Sequence, residues 1–151
     1  MILSQALNSA ASRNPGNAAT LDLGESVSYA ELKKKIAQLS YLYLAEIGHH
    51  QKVAFLTTNN AAIIPTFFAL ANTCTMCTFL NLKDSNEKIG KFLKDFEATH
   101  LAVTKDLLSR ANEIMRTEGV SLPIIEIEKK KGGEYDPSYS QPPEVPLKET
   151  D

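Results

Sequence analysis

A chain of 151 residues ordinarily makes one domain. With 43% hydrophobic and 23% charged residues it has the make-up of a globular protein, not of a disordered one. The net charge of −2 argues against a general affinity for nucleic acid or anionic lipid, and no apolar run approaches the eighteen or so residues of a membrane span.

The opening "MILSQALNSAASRNPGN" lacks a basic segment followed by an unbroken apolar one, so no secretory signal is expected. With only two cysteines, the expected compartment is the reducing cytoplasm. Within the same stretch Ile2, Leu3, Ala6, Leu7, Ala10 and Ala11 recur at helical spacing, and Asn14-Pro15-Gly16 ends that helix. "AATLDLGESVSY" then alternates and turns at Gly24-Glu25, a short hairpin. Ser28 opens the next helix, and Glu31 completes a capping box with it. Tyr29, Leu32, Ile36, Leu39, Tyr43 and Ile47 form one apolar stripe that must face a core, and Gly48 is a natural stop.

"KVAFLTT" (52–58) reads as a buried strand. Asn59 and Asn60 follow as expected caps of the helix "AAIIPTFFALANT", in which Pro65 should remove one backbone bond or bend the second turn. "CTMCTFL" (74–80) reads as a strand. Asp84 with Glu87 offers another cap pattern, and Ile89, Phe92, Leu93 and Phe96 give the apolar face of the helix behind it. "HLAVT" is a strand, "KDLLSRANEIMRTEG" a helix ending at Gly119, and "LPIIEIE" a final strand. From Gly48 onward strands and helices alternate. The expected fold is therefore α/β, a mainly parallel sheet with helices on both faces, over residues 1–128. Residues 129–151 hold four of the seven prolines and almost no aliphatics, and read as a Pro/Gly/charged linker or tail.

Chemistry-bearing residues are sparse. Cys74 and Cys77 stand in a C-x-x-C spacing, but a zinc site needs about four ligands, and His49, His50 and His100 are distant in sequence. Residues three apart on a strand point to opposite faces, so the pair reads as buried packing residues; neither a metal ligand nor a disulfide is expected there. His49-His50 follows a helix end, where an imidazole suits the dipole or faces solvent. Lys33-Lys34-Lys35 reads as a solvated helix face, and Lys129-Lys130-Lys131 before Gly132-Gly133 as a soluble hinge. No phosphate-loop, dinucleotide, nucleophile-elbow or zinc-protease motif occurs, so no catalytic residue is identified from the residues alone.

The order of particular residues nevertheless resembles a known family. "VSYAELKKKIAQLSYLYLAEIG", with Ser28, Tyr29, Glu31, Leu32 and Gly48, resembles the first core motif of the adenylate-forming enzymes: acyl-CoA synthetases, peptide-synthetase adenylation domains and luciferases. "KVAFLTTNNAAIIPTFFALA" is similar to their strand ending near a characteristic Asn, here Asn60, and the helix after it. "ALANTCTMCTFLN" falls where the family has Lys-Ala-Gly, small or apolar residues, then Pro-Leu-Asn; Leu80 and Asn81 match. Asn72, Cys74 and Phe79 replace the usual Lys, Gly and Pro, so Cys74 reads as a substitute within a strand, Cys77 as a packing residue beside it, and the branch as a divergent one. "EKIGKFLKDFEATHLAVT" resembles the helix and strand that follow. Phe67-Phe68, and Leu80-Asn81 without the Pro, look more like the acyl–acyl-carrier-protein synthetase domain of bacterial bifunctional acyltransferases.

The resemblance runs from about Leu3 to Glu128 and implies the N-terminal subdomain of an AMP-forming acid–thiol ligase. In such an enzyme a carboxylate attacks the ATP α-phosphate, and a thiol of CoA or of carrier-protein pantetheine then displaces AMP. The ATP phosphate loop, the magnesium-holding Glu and the catalytic Lys come later in the family, so ATP, magnesium and CoA or pantetheine belong to the parent enzyme and none is expected on this chain alone. Its expected partner is the rest of that ligase beyond Asp151. One basic residue just past the Leu-Asn pair reaches a CoA phosphate in some members, which makes Lys83 the cofactor-binding candidate. Its alternative role is that of an ordinary exposed lysine. The alternative for the whole chain is a stand-alone binding or regulatory module that keeps the fold without catalysis; a T-S-G-T-T-G-like run after Asp151 would discriminate the two.

Overall fold

The computed structural model describes residues 2–22, 25–59 and 61–127. The hairpin turn at Gly24, Asn60, the run Lys129 to Lys131 and the expected linker at 129–151 lie outside these residues.

The chain begins with helix α1 (Ile2–Arg13) and the antiparallel hairpin β1 (Ala18–Asp22) and β2 (Glu25–Ser28). Helix α2 (Tyr29–Ile47) starts as expected. The Ser28 hydroxyl accepts from the Glu31 N–H at 3.2 Å, and the Glu31 carboxylate accepts from the Ser28 N–H at 3.3 Å, so two otherwise orphaned donors are satisfied. Gly48 ends the helix at φ 81°, and its N–H donates to the Tyr43 and Leu44 carbonyls. Of the α2 stripe, Leu32, Ile36 and Tyr43 are buried, whereas Leu39 and Ile47 are half-buried against the core and Tyr29 is half-buried.

Three βα units follow: β3 (Lys52–Leu56), α3 (Ile63–Asn72), β4 (Met76–Phe79), α4 (Asn86–Phe96), β5 (His100–Thr104), a short 3-10 turn (Lys105–Leu107), α5 (Leu108–Glu118) and β6 (Ile124–Ile127). The strands form one sheet in the order β4-β3-β5-β6, every neighbouring pair parallel. Because successive strand residues point to opposite faces, β3 serves two cores. Val53 and Phe55 join Ala69 and Leu70 of α3 and Tyr43 of α2 on one face. Ala54 and Leu56 join Ile89 and Leu93 of α4 and Ile114 of α5 on the other. All four of these β3 residues have zero exposure, which is why the run is apolar throughout and does not alternate. The expected α/β fold, a parallel sheet with helices on both faces, is what forms. Among the described residues no helix is long and apolar enough to cross a membrane.

Local expectations fail where polar residues mimic caps. Helix α3 starts at Ile63 with Ala62 at its N-cap and no side-chain cap bond, so Asn59 lies three residues too early to cap it. Pro65 thereby falls in the first turn, where its missing N–H has no intrahelical partner to lose. Helix α4 is capped by Ser85, whose hydroxyl accepts from the Lys88 N–H at 3.1 Å, and Asp84 instead pairs with the Lys88 ammonium at 3.2 Å. The apolar face of α4 is also only partly used: Ile89 and Leu93 are buried, but Phe92 is 41% exposed and stacks on Phe96.

Gly90 shows why α4 and α5 lie so close. A Cβ at this position would sit 2.5 Å from the Glu118 Cβ. Gly90→Ala is therefore expected to destabilise the protein by about 1–2 kcal/mol, overpacking outweighing the better helix propensity of alanine. Urea midpoints check this. Adding Glu118→Gly should return part of the loss, whereas Glu118→Ala, which keeps the clashing Cβ, should not.

Candidate functional site

In open parallel sheets ligands bind outside the carboxyl ends of the strands, at the point where the strand order reverses. Here β3 leads out to β4 on one side and β5 to β6 on the other, so the reversal lies between β3 and β5. Thr58 follows β3 there, facing Thr104 at the end of β5. The Thr58 N–H donates to the Thr104 hydroxyl at 3.1 Å, the two hydroxyls are 3.4 Å apart, and the Thr58 hydroxyl donates to the Asp106 carboxylate at 3.2 Å. These bonds stitch the switch point shut with the protein's own groups.

Beside the stitch, between the ends of β3 and β4, lies a recess of about 520 Å³. Ile63, Ile64, Phe79 and Leu80 supply its apolar lining, and the exposed Asn59, Asn81 and Lys83 its polar groups. Phe79 stacks on the buried Phe55 with ring centroids 4.8 Å apart. The turn after β4 is built locally: the Asn81 side-chain oxygen accepts from the Lys83 N–H at 3.0 Å, and the Asn81 carbonyl accepts from the Asp84 N–H at 3.1 Å. Lys83 thus stands on a shaped turn at the mouth of a mixed apolar and polar recess, a place where an ammonium can meet an anionic group of a partly apolar ligand.

The other candidates lie elsewhere. Lys33 to Lys35 are on α2, which packs on the sheet face of α3. His49 and His50 follow Gly48 and stack edge to face at 4.7 Å. His100, the first residue of β5, holds its Nδ1 3.0 Å from the Thr99 hydroxyl, and burial lowers its pKa from the ordinary value. It lines a second groove, about 470 Å³, between α2 and β6 together with Leu39, Leu42 and Ile125.

The two cysteines are not both in the strand. Cys74 belongs to the turn that ends α3, at φ 55°, and only Cys77 lies in β4. A left-handed backbone is where glycine fits best, which explains why the resembling family has a glycine at this point and corrects the reading of Cys74 as a strand residue. Cys77 packs against the core, and burial pushes its thiol up to about 12 from 9.0. Native Cys77 should therefore react with iodoacetamide about thirty- to sixtyfold more slowly than the same cysteine in urea, because a thousandfold smaller thiolate fraction is only partly offset by the higher nucleophilicity of a more basic thiolate. Peptide mapping of alkylation over time gives the ratio. Among the described residues no group of three His, Cys, Asp or Glu side chains could hold a metal ion.

Arg110 and Asp106 carry no motif, yet both touch the loops beside the recess. The Arg110 guanidinium donates to the Leu82 and Asp84 carbonyls, each at 2.7 Å, and to the Asn86 side-chain oxygen at 3.1 Å. Their partners lie 24 to 48 residues away in the chain, so no local pattern marks them.

Solved structures share this architecture. A benzoate CoA ligase from Burkholderia xenovorans LB400 superposes with a TM-score of 0.70 at 14% identity, over 81% of this chain and 25% of its own. A protein of Rhodopseudomonas palustris CGA009 described as a long-chain-fatty-acid CoA ligase gives 0.74 at 18% identity, over 86% and 33%. The o-succinylbenzoate coenzyme A synthetase of Bacillus subtilis, solved with ATP and magnesium ion, gives 0.66 at 20% identity, over 85% and 34%. The chain thus spans about a quarter to a third of the length of these proteins. No curated protein sequence matches it. The family model for AMP-binding enzymes matches residues 7–151, nearly the whole chain, and the parallel sheet with its helices is the one these ligases share. This chain belongs to the AMP-binding enzyme family.

Proposed function

We propose that the chain is the N-terminal part of an ATP-dependent, AMP-forming acid–thiol ligase of the acyl-CoA or acyl-carrier-protein synthetase type. The family match across residues 7–151 carries this reading. The α/β subdomain, residues 1–128, is the scaffold, and 129–151 is a linker that leads toward the ATP-binding part in the cytoplasmic parent enzyme. In that parent a carboxylate oxygen attacks the α-phosphorus of ATP and pyrophosphate leaves. A thiol then attacks the acyl carbonyl and AMP leaves. Both steps need positioned positive charge near phosphates, and this reading gives ATP and magnesium to parts of the parent beyond the described residues.

The contribution of this chain is one wall of the thiol-substrate path. The recess after β3 and β4 offers apolar surface, asparagine amides and the Lys83 ammonium, a set that suits an arm with amide groups and a phosphate such as the pantetheine phosphate of CoA. The test is twofold. The 151-residue chain should support no carboxylate-dependent exchange of pyrophosphate into ATP with fatty or aryl acids; exchange by this chain would overturn its assignment as a part. Titration with coenzyme A should shift the amide resonances of residues 79–83, and Lys83→Ala should weaken binding by up to about fivefold, the range of an exposed charge pair. Shifts confined to other residues would remove Lys83 from the reading.

A further inference from the structure

We propose that Arg110, together with Asp106 in the 3-10 turn before it, is a positioning residue: that turn and the start of α5 brace both loops of the recess and so fix where Lys83 stands. Its functional meaning rests on the reading of Lys83 as a phosphate contact; the bracing itself rests on geometry. The loop after β4 is anchored at its start, where the Leu80 N–H donates to the Phe55 carbonyl at 2.9 Å and Leu80 packs on the core; further along, its own bonds are short-range, those from Lys83 N–H and Asp84 N–H back to Asn81. Bonds within a turn shape it but do not tie it to the rest of the fold. For the part of the loop that carries Lys83, the polar tie comes from Arg110. Its planar fork of donors meets two carbonyls of this loop, Leu82 and Asp84, and the side chain of Asn86, the first residue of α4. The Asp84 carboxylate takes no part, being paired with Lys88. The opposite loop, after β3, is tied to the same segment by the bond from the Thr58 hydroxyl to Asp106. Two loops from different βα units thus share one reference, and the width of the recess between them follows the seating of α5 on the sheet. Lysine cannot replace arginine here, because a single ammonium cannot span carbonyls two residues apart with fixed direction.

The experiment uses the 151-residue chain as wild type and as Arg110→Lys, Arg110→Ala, Asp106→Asn and Lys83→Ala. Amide hydrogen exchange, the urea midpoint and the dissociation constant for coenzyme A are read for each. Arg110→Ala should speed exchange of the Lys83 and Asp84 amides about tenfold, a local opening, while amides of β3 and β5 follow only the change in the midpoint. Arg110→Lys should behave like Arg110→Ala, and ethylguanidinium should restore slow exchange in Arg110→Ala but do nothing for Lys83→Ala. Coenzyme A binding by Arg110→Ala should fall as far as in Lys83→Ala, with the double variant no weaker than either. Asp106→Asn should loosen Thr58 and leave the Lys83 loop as it is. Unchanged exchange at Lys83 and Asp84 in both Arg110 variants, or rescue by lysine, overturns the brace. Should Arg110→Ala fail to fold, Arg110→Lys alone decides through the same amides. Wild-type affinity in Lys83→Ala would end the phosphate reading and leave the exchange result to judge the brace.

Discussion

Phe55→Ala should lower the stability of the chain by about 3–5 kcal/mol, the range for removing a phenyl ring from a packed core. Phe55 has zero exposure in the central strand β3, with Ala102 of β5 and Phe79 of β4 as its neighbours across the sheet. The cavity left behind cannot collapse easily. Its walls include Ala102 of β5 and the α3 residues Ala69 and Leu70, so refilling it requires shifting a packed helix against the sheet. The substitution also ends the stacking with Phe79, which contributes about 0.5–1.5 kcal/mol beyond area. Against a usual total of about 5–15 kcal/mol, such a loss brings the folded chain near the edge of unfolding. Urea denaturation followed by circular dichroism measures it. Phe55→Leu keeps most of the volume and should cost less than half as much; equal losses for the two would place Phe55 outside a tight core.

Leu32→Ala should cost about 2–5 kcal/mol by the same mechanism. Leu32 is 4% exposed on the second turn of α2, the longest helix, which joins the hairpin and α1 to the sheet. Truncation here tests a different part of the fold from Phe55, since α2 covers the sheet from outside. Loss of helix propensity does not confuse the result, because alanine is the better helix former. A midpoint that does not move would mean that the apolar stripe of α2 faces nothing.

The sheet was legible because β3 and β5 are nearly continuous apolar runs, β4 and β6 are short and mostly apolar between polar turns, and each helix has a period of three to four. His100–Thr104 and Gly119 are placed as the sequence expects. What misled was local chemistry that fits two structures. Asn59 has the right type for a cap but stands three residues from the helix start, and Asp84 competes with Ser85 for one cap. A single-residue preference cannot settle such a register; the packing of α3 and α4 on the sheet does. Phe92 has the spacing of a core residue, yet α4 buries only the narrower face of Ile89 and Leu93. Of the site, Lys83 could be found through the resemblance at Leu80-Asn81. Arg110 could not, since its three partners belong to another βα unit and a surface arginine on a helix has no distinguishing neighbour in sequence. The same limit hid the Thr58–Thr104–Asp106 stitch, which exists only because β3 and β5 are adjacent although β4 comes between them in the chain.

The outer side of β4 has a consequence for how this chain behaves at high concentration. Among the described strands β4 pairs with β3 alone, and it carries Met76 and Phe79, 57% and 54% exposed. Its four residues contain no lysine and no proline, the features that usually keep such a border from recruiting another chain. Two molecules meeting there could continue one sheet into the other and hide both side chains at once. Association of this kind grows with the square of concentration, so it would show first in concentrated samples.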